Sequence, residues 1–138
     1  MTGRPKDRII NTYTHKGADM QAIATVITEQ VVQQAHVKAL AAAHTAAKAF
    51  ADKHMNGGDG GACGFSWVDV YGVRSNSKLG KWLQSVGFSK SYSGSMQLWN
   101  KWWHGQSVDA GEHGATAYAT VLKQELGLDR CYSGSRLD

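Results

Sequence analysis

The stretch NGGDGGACGFSWVDVYGVRSNS, residues 56–77, marks a change of structure along the chain, because a glycine cluster leads directly into an apolar and aromatic segment. This segment predicts a β-strand at residues 65–71. Phosphate-binding loops run from strand through glycines to helix, so that the helix N-terminus faces the anion. Here the order is helix, glycines, strand, and the spacing departs from G-x-G-x-x-G. We therefore interpret the cluster as a hinge between a helix and a sheet.

Upstream of the glycines, the chain divides into a polar arm and a helical segment. Residues 1–17 contain the one proline of the chain, Pro5, and lack periodicity, which predicts an extended arm. Residues 18–55 contain no proline or glycine and repeat apolar residues every three or four positions. This pattern predicts one long helix capped at Asp19, or two helices that meet near His36.

The apolar stripe of the predicted helix is dominated by alanine, whose small side chain lets a partner approach closely. It comprises Ala24, Ile27, Val31, Ala35, Ala39, Ala42, Ala46 and Phe50. A helix of this length extends beyond a small domain, and an ordered arm needs something to hold it. We therefore expect a homo-oligomer in which this helix packs between subunits.

Downstream, two segments repeat at an offset of 40 residues, WLQSVGFSKSYSGS at 82–95 and LKQELGLDRCYSGS at 122–135. Each predicts the end of a helix, a glycine C-cap, a short strand with a basic residue, and a closing Tyr-Ser-Gly-Ser turn. The repeat predicts a pseudo-twofold relation between two halves of one domain.

These elements give an α+β fold, with a long N-terminal helix followed by β-α-β-β-α-β in a ferredoxin-like or related sandwich with an internal αβ repeat. We assign residues 56–138 to this α+β domain. Its strands are predicted at 65–71, 88–92, 96–103 and 128–132, and its helices at about 77–87 and 108–126.

Composition excludes several classes of protein. The two cysteines, Cys63 and Cys131, are too few for a disulfide framework or a zinc site, and His36 and His44 are too far apart along a helix to share one ion. We therefore expect no metal and no cofactor. No apolar run reaches about 18 residues, so we expect no membrane span, and the N-terminus lacks the plan of a secretory signal. The net charge of +4 is compatible with nucleic acid or with an acidic partner.

The most biased segment is residues 74–104, which holds five Lys or Arg residues and four Trp but no Asp or Glu. Cations beside exposed aromatic rings are what single-stranded nucleic acids and nucleotides need. The alternative is that these tryptophans belong to the core. Because Trp102 and Trp103 are adjacent, a strand would turn them to opposite faces, and one of them would lie on an outer face, at a chain end or in an interface. We take Trp99, Trp102 and Trp103 as candidate ligand contacts.

A candidate anion site lies at the start of the second predicted helix. It comprises Arg74, Ser75, Asn76, Ser77 and Lys78. Two cations, hydroxyl groups and free backbone N–H groups can hold an anion there, although helix capping explains the serine and asparagine residues equally well.

The candidates for catalysis are Asp69, His104 and Glu112. No nucleophile elbow, zinc spacing or paired-carboxylate pattern joins them. Whether the protein is an enzyme stays open at this point, with the balance toward a protein that is not one.

Three motifs, GACGFSWVDVYG, LQSVGFSKSYSGSMQLWN and the closing YSGSRLD, make residues 50–138 similar to a family of short uncharacterised proteins encoded by tailed bacteriophages. The resemblance implies a phage origin and a place in the cytoplasm of the infected host cell or in the virion. It implies no established activity, cofactor or site residue.

Three functional hypotheses follow. The first is a phage accessory protein that binds an anionic partner, such as nucleic acid, a nucleotide or an acidic host protein, through the basic, Trp-rich surface. The second is a structural or assembly protein of a phage oligomer. The third is a small hydrolase or transferase.

Overall fold

The computed structural model describes residues 8–11 and 24–138. The predicted helix cap at Asp19 lies outside the described residues, as does most of the predicted arm. A short strand, β1 (Arg8–Asn11), pairs antiparallel with β2 (Ala24–Ile27) to form a two-stranded sheet.

One uninterrupted helix, α1 (Glu29–His54), follows and passes His36 without a break. It begins later than the sequence pattern predicted, because residues 24–27 pair with β1 and because Thr28 caps the helix. The Thr28 hydroxyl accepts a hydrogen bond from the Val31 N–H at 3.2 Å, which satisfies one of the free donors of the first turn.

The alanine stripe of α1 is buried within the same chain. It packs against α3 (Val108–Leu126), where small residues on both helices allow a close approach. The buried residues are Val32, Ala35, Ala39, Ala43, Ala47 and Ala51. Beyond Ala39 they lie one position later than predicted. The stripe is therefore occupied within the chain and gives no support for an oligomer built on it.

The four-stranded sheet has the order β4-β5-β3-β6, and all neighbouring strands are antiparallel. Its strands are β3 (Gly64–Val70), β4 (Ser89–Lys90), β5 (Met96–Trp99) and β6 (Cys131–Leu137), with α2 (Lys78–Ser85) between β3 and β4. The prediction of an α+β fold, with a helix followed by an antiparallel sheet and further helices, is confirmed.

The core lies between one face of this sheet and the helices. Val68 and Val70 of β3 and Leu98 of β5 point to this face and are fully buried. Trp102 fits beneath α3 because residue 114 is glycine, where a Cβ would lie 2.1 Å from the indole. The helices therefore cover one face of the sheet and leave the side chains of alternate strand residues on the other.

Strand β5 is shorter than predicted and ends at Trp99. The side-chain oxygen of Asn100 accepts hydrogen bonds from the N–H groups of Trp102 and Trp103 at 2.9 and 3.0 Å. Such a side-chain turn competes with the strand ladder and turns the chain inward.

The sequence repeat does not extend into a structural repeat. The first Tyr-Ser-Gly-Ser forms the turn between β4 and β5, with Gly94 at a φ of 94°. The second lies inside β6, where residues 132–135 pair with residues 66–69 of β3. The strand predicted at 128–132 therefore lies at Cys131–Leu137 instead, because the second Tyr-Ser-Gly-Ser pairs with β3.

Candidate nucleic-acid interface

The side of the four-stranded sheet that faces away from α3 carries a cluster of aromatic rings. Register places Trp67 opposite Trp99, and Phe65 opposite Arg136. Phe65, Trp99 and Tyr132 are exposed by 41%, 43% and 49%. We define the aromatic sheet face as Phe65, Trp67, Tyr71, Trp99 and Tyr132, together with Arg130 and Arg136.

The rings of this face form two groups. In the first, the Trp99 ring centroid lies 5.1 Å from that of Trp67 and 6.2 Å from that of Phe65. In the second, Tyr71 and Tyr132 have centroids 6.1 Å apart. These separations are within the range of favourable aromatic pairs, so contacts between the rings help to fix their positions. Each group also keeps at least one ring exposed to solvent.

Cations border both groups. The Arg136 guanidinium lies 5.3 Å from the Phe65 ring centroid, and that of Arg130 lies 5.2 Å from Tyr71. The Lys123 ammonium lies 5.7 Å from the Tyr132 centroid. These are cation–π distances. Among the described residues, no ion pair to a carboxylate neutralises these three cations.

Trp67 is fixed in orientation from two sides. Its indole N–H donates to Asp69 at 2.9 Å. Its ring lies over Gly134 of β6, where a Cβ would come within 2.5 Å of the indole nitrogen. The glycine in the second Tyr-Ser-Gly-Ser thus makes room for the ring on the sheet surface.

Asp69 is 8% exposed and its carboxylate accepts three side-chain hydrogen bonds. Besides Trp67, the donors are the Ser95 hydroxyl at 2.8 Å and the Gln97 amide at 3.0 Å. All three donors belong to β3, β5 or the turn before β5. The carboxylate therefore ties the centre of the sheet to the aromatic face and has few sites left for a substrate.

The three tryptophans predicted to contact a ligand lie in different environments. Trp99 lies on the aromatic sheet face. Trp102 is 1% exposed, donates to the Gly111 carbonyl at 2.7 Å and stacks on Tyr118, so the structure corrects its assignment from surface to core. Trp103 is half-buried and donates to Asp59 at 2.8 Å.

Asp59, in the glycine cluster, holds the Trp103 indole in a contact between two loops. Its carboxylate also accepts the N–H groups of Gln106 at 2.8 Å and Ser107 at 3.0 Å, which ties the glycine cluster to the segment before α3. The Gln106 N–H, followed by the Trp103 indole, holds the pKa of Asp59 below its ordinary value.

The residues of the predicted anion site do not all line one surface. Arg74, Ser75 and Asn76 line an open depression of about 720 Å³ together with Lys90 of β4 and the Gly94 turn. Ser77 is instead the N-cap of α2. Its hydroxyl accepts from the Gly80 N–H at 3.0 Å and donates to the Arg74 carbonyl at 2.6 Å. Lys78 is exposed in the first turn of α2.

The predicted catalytic candidates are not brought together. Glu112 on α3 accepts from the Ser135 hydroxyl at 3.0 Å, on the side of the sheet opposite the aromatic face. His104 is exposed in the loop before α3. No hydrogen bond or ion pair joins Asp69, His104 and Glu112, all of which are described. Within residues 8–11 and 24–138, no group of three His, Cys, Asp or Glu side chains has metal-binding geometry.

The described helices include none that combines the length and apolar character needed to cross a membrane. Comparisons with protein-family models, with curated proteins and with solved structures found no match.

Proposed function

We propose that the protein binds single-stranded nucleic acid through the aromatic sheet face. The observation that carries the proposal is the alternation along β3, β5 and β6. It leaves aromatic side chains on a sheet face that no described helix covers, while Val68, Val70 and Leu98 fill the core on the other side. Four-stranded sheets that present aromatic rings in this way stack two or three bases in known RNA-binding modules.

Stacking supplies the first part of the binding free energy. Each base stacked on an aromatic side chain is worth roughly 1–3 kcal/mol, with little dependence on sequence. The bond from Trp67 to Asp69 and the packing over Gly134 fix one ring before a ligand arrives, which lowers the entropy lost on binding.

Cations supply the second part. Arg136 borders the Phe65 end of β3, and Arg130 borders the Tyr71 end, where the Tyr71 N–H donates to the Arg130 carbonyl at 2.9 Å. Gly72, the next residue after Tyr71, already lines the depression that holds Arg74 and Lys90. A strand whose bases stack on the rings would place its phosphates near these groups. We therefore expect affinity to fall as salt rises.

A single strand fits this surface better than a duplex, because in a duplex each base face is already stacked on a neighbouring base pair and cannot stack on a protein ring. We also propose that residues 64–137 form a ferredoxin-like sandwich. The strand order β4-β5-β3-β6, with antiparallel neighbours and intervening helices, is compatible with that topology. An accessory role in a phage-infected cell is the context that the resemblance of the sequence implies.

A structural or assembly role is the second candidate. The observation that favours it is the unpaired outer edge of β6, a seven-residue strand with one described neighbour.

The test is a titration with a short single-stranded oligonucleotide, followed by intrinsic Trp fluorescence at low and moderate salt. Trp99→Ala should weaken binding roughly 5- to 150-fold, as expected for the loss of one stacked base. Tyr92→Ala is the matched control, because Tyr92 is a fully exposed aromatic residue on the β4–β5 turn, outside the aromatic sheet face. Equal affinity of wild type and Trp99→Ala, or absence of binding at low salt, would contradict the proposal.

A further inference from the structure

The two edges of the four-stranded sheet differ in length. β4, at one edge, has two residues, and such a short edge offers little to another strand. β6, at the other, runs for seven residues and pairs only with β3 among the described strands. It contains no proline and one charged residue, Arg136, so it lacks the usual protection of an exposed edge.

The backbone groups of β6 alternate between its partner and its free edge. The Asp138 N–H donates to the Cys63 carbonyl at 3.0 Å, and the Arg130 carbonyl accepts from Tyr71 at 2.9 Å. Even-numbered residues of β6 thus direct their N–H and C=O groups to β3, since antiparallel pairs alternate along a strand. The odd-numbered residues direct theirs outward, and these are Cys131, Ser133, Ser135 and Leu137.

A groove accompanies the free edge. Between α3 and the start of β6 lies a depression of about 180 Å³, lined by Ala119, Thr120 and Cys131 among others. At the far end of the same strand, on the same side of the sheet, Leu137 is 67% exposed. One end of the edge therefore carries an unburied apolar side chain, and the other end carries a recess partly lined by small side chains.

We propose that two copies of the chain form a dimer by antiparallel pairing of their β6 strands about a twofold axis at Gly134. In this register Ser133 lies opposite Ser135 of the second copy, and Cys131 lies opposite Leu137. All of these are residues whose backbone groups point outward. Registers shifted by two residues keep the same alternation but shorten the overlap from seven residues to five.

Side chains fit this register on both faces. Each Leu137 enters the groove beside Cys131 of the second copy, which removes it from water. On the other face, Tyr132 lies opposite Arg136 of the second copy, a cation–π pair of the kind already formed within the chain. Just beyond the strand, Arg130 lies opposite Asp138, so charges of opposite sign meet at both ends.

The dimer joins the two sheets into one antiparallel sheet of eight strands and sets the two aromatic sheet faces side by side. It stands independently of nucleic-acid binding, because none of the contacts that carry it involves a ligand.

Sedimentation velocity across a range of concentrations, combined with amide hydrogen exchange followed by NMR, tests the dimer. We expect a monomer–dimer equilibrium in which the amides of Cys131, Ser133, Ser135 and Leu137 gain protection as concentration rises. The amides of Tyr132, Gly134 and Arg136 are bonded to β3 and should be protected at all concentrations. A monomer at the highest soluble concentration, or a dimer without this alternation, would overturn the proposal.

A charge exchange supplies the matched variants. Asp138→Arg places like charges opposite each other at two positions and should raise the dissociation constant of the dimer roughly tenfold, given about 0.2–1 kcal/mol for each exposed pair. The double variant Arg130→Asp with Asp138→Arg should restore dimerisation. Leu137→Asp should give a folded monomer, because this side chain is exposed within the chain. A double variant as weak as the single one would refute the register.

Discussion

Asp69 and Trp67 are two positions apart on β3, so both side chains project from the open face of the sheet. Three donors occupy most of the acceptor sites of the Asp69 carboxylate, and one of them is the indole whose ring lies over Gly134. The acidic residue that the sequence suggested as a catalyst therefore acts here as a support for an aromatic ring. The same bonds secure the Ser95 hydroxyl, which is fully buried.

Replacement of Asp69 tests this supporting role. Asp69→Ala leaves buried donors without an acceptor and should lower the free energy of unfolding by about 1–3 kcal/mol. Asp69→Asn keeps one acceptor oxygen and should cost less. Urea denaturation of both variants measures the difference, and Glu112→Ala, which removes one exposed bond to Ser135, is the control. Wild-type stability in Asp69→Ala would show that the hydrogen bonds are unimportant.

Individual site residues were only partly predictable from the sequence. Trp99 was assigned to the surface and lies there, but Trp102 was assigned with it and lies in the core. What separates them is the side chain of Asn100, which ends β5 and turns the chain inward. The missed residues, Phe65, Trp67 and Tyr71, alternate along the quoted stretch, and that alternation was the signal. The acid-free segment at 74–104 is the stronger compositional signal, but it contributes only Trp99 to the aromatic sheet face.

The packing of α1 on α3 contains a partly buried polar pair. His36 Nδ1 and the Tyr118 hydroxyl are 2.6 Å apart. Burial, and secondarily the charge of Lys101, lowers the pKa of His36, while burial raises the pKa of Tyr118. The neutral imidazole is the form that fits this site, and its tautomer decides whether Nδ1 accepts the hydrogen bond from the Tyr118 hydroxyl or donates to it.

This pair predicts a pH dependence of stability. The unfolded chain protonates His36 near pH 6.5, whereas the folded chain does so only at a lower pH. Between the two values the unfolded state binds more protons, so the free energy of unfolding should fall as pH drops below about 6.5. Chemical denaturation at pH 7.5 and 5.5 measures the effect. His36→Gln should show a shallower slope, and parallel slopes for the two proteins would exclude His36 as the cause.

Elements with strong local signals were predicted well. α3 begins after its Ser107 cap and ends at Leu126, where Gly127 forms the C-cap with a φ of 65°. β3 lies one residue from its predicted position. The start of α1 and the position of β6 depend on pairing with β1 and β3, which are distant in sequence. Local patterns contain no information about such pairs, and so Tyr-Ser-Gly-Ser became a turn once and a strand once.

In the whole molecule, the two faces of the four-stranded sheet have different roles. One face is filled by α3 and, behind it, by α1, and supplies the core. The other face keeps aromatic rings and arginine side chains in contact with water. An exposed aromatic cluster on a small protein usually marks a binding surface. The β6 dimer that we propose would double this surface without covering it.

The most direct test of nucleic-acid binding is an NMR titration that follows the five indole N–H signals as a single-stranded oligonucleotide is added at low salt. The signals of Trp67 and Trp99 should shift together and saturably, and the shifts should weaken at higher salt. The signals of Trp102 and Trp103, whose N–H groups are bonded to Gly111 and Asp59, should stay in place. Five unchanged signals, or shifts confined to tryptophans away from the aromatic sheet face, would contradict the account.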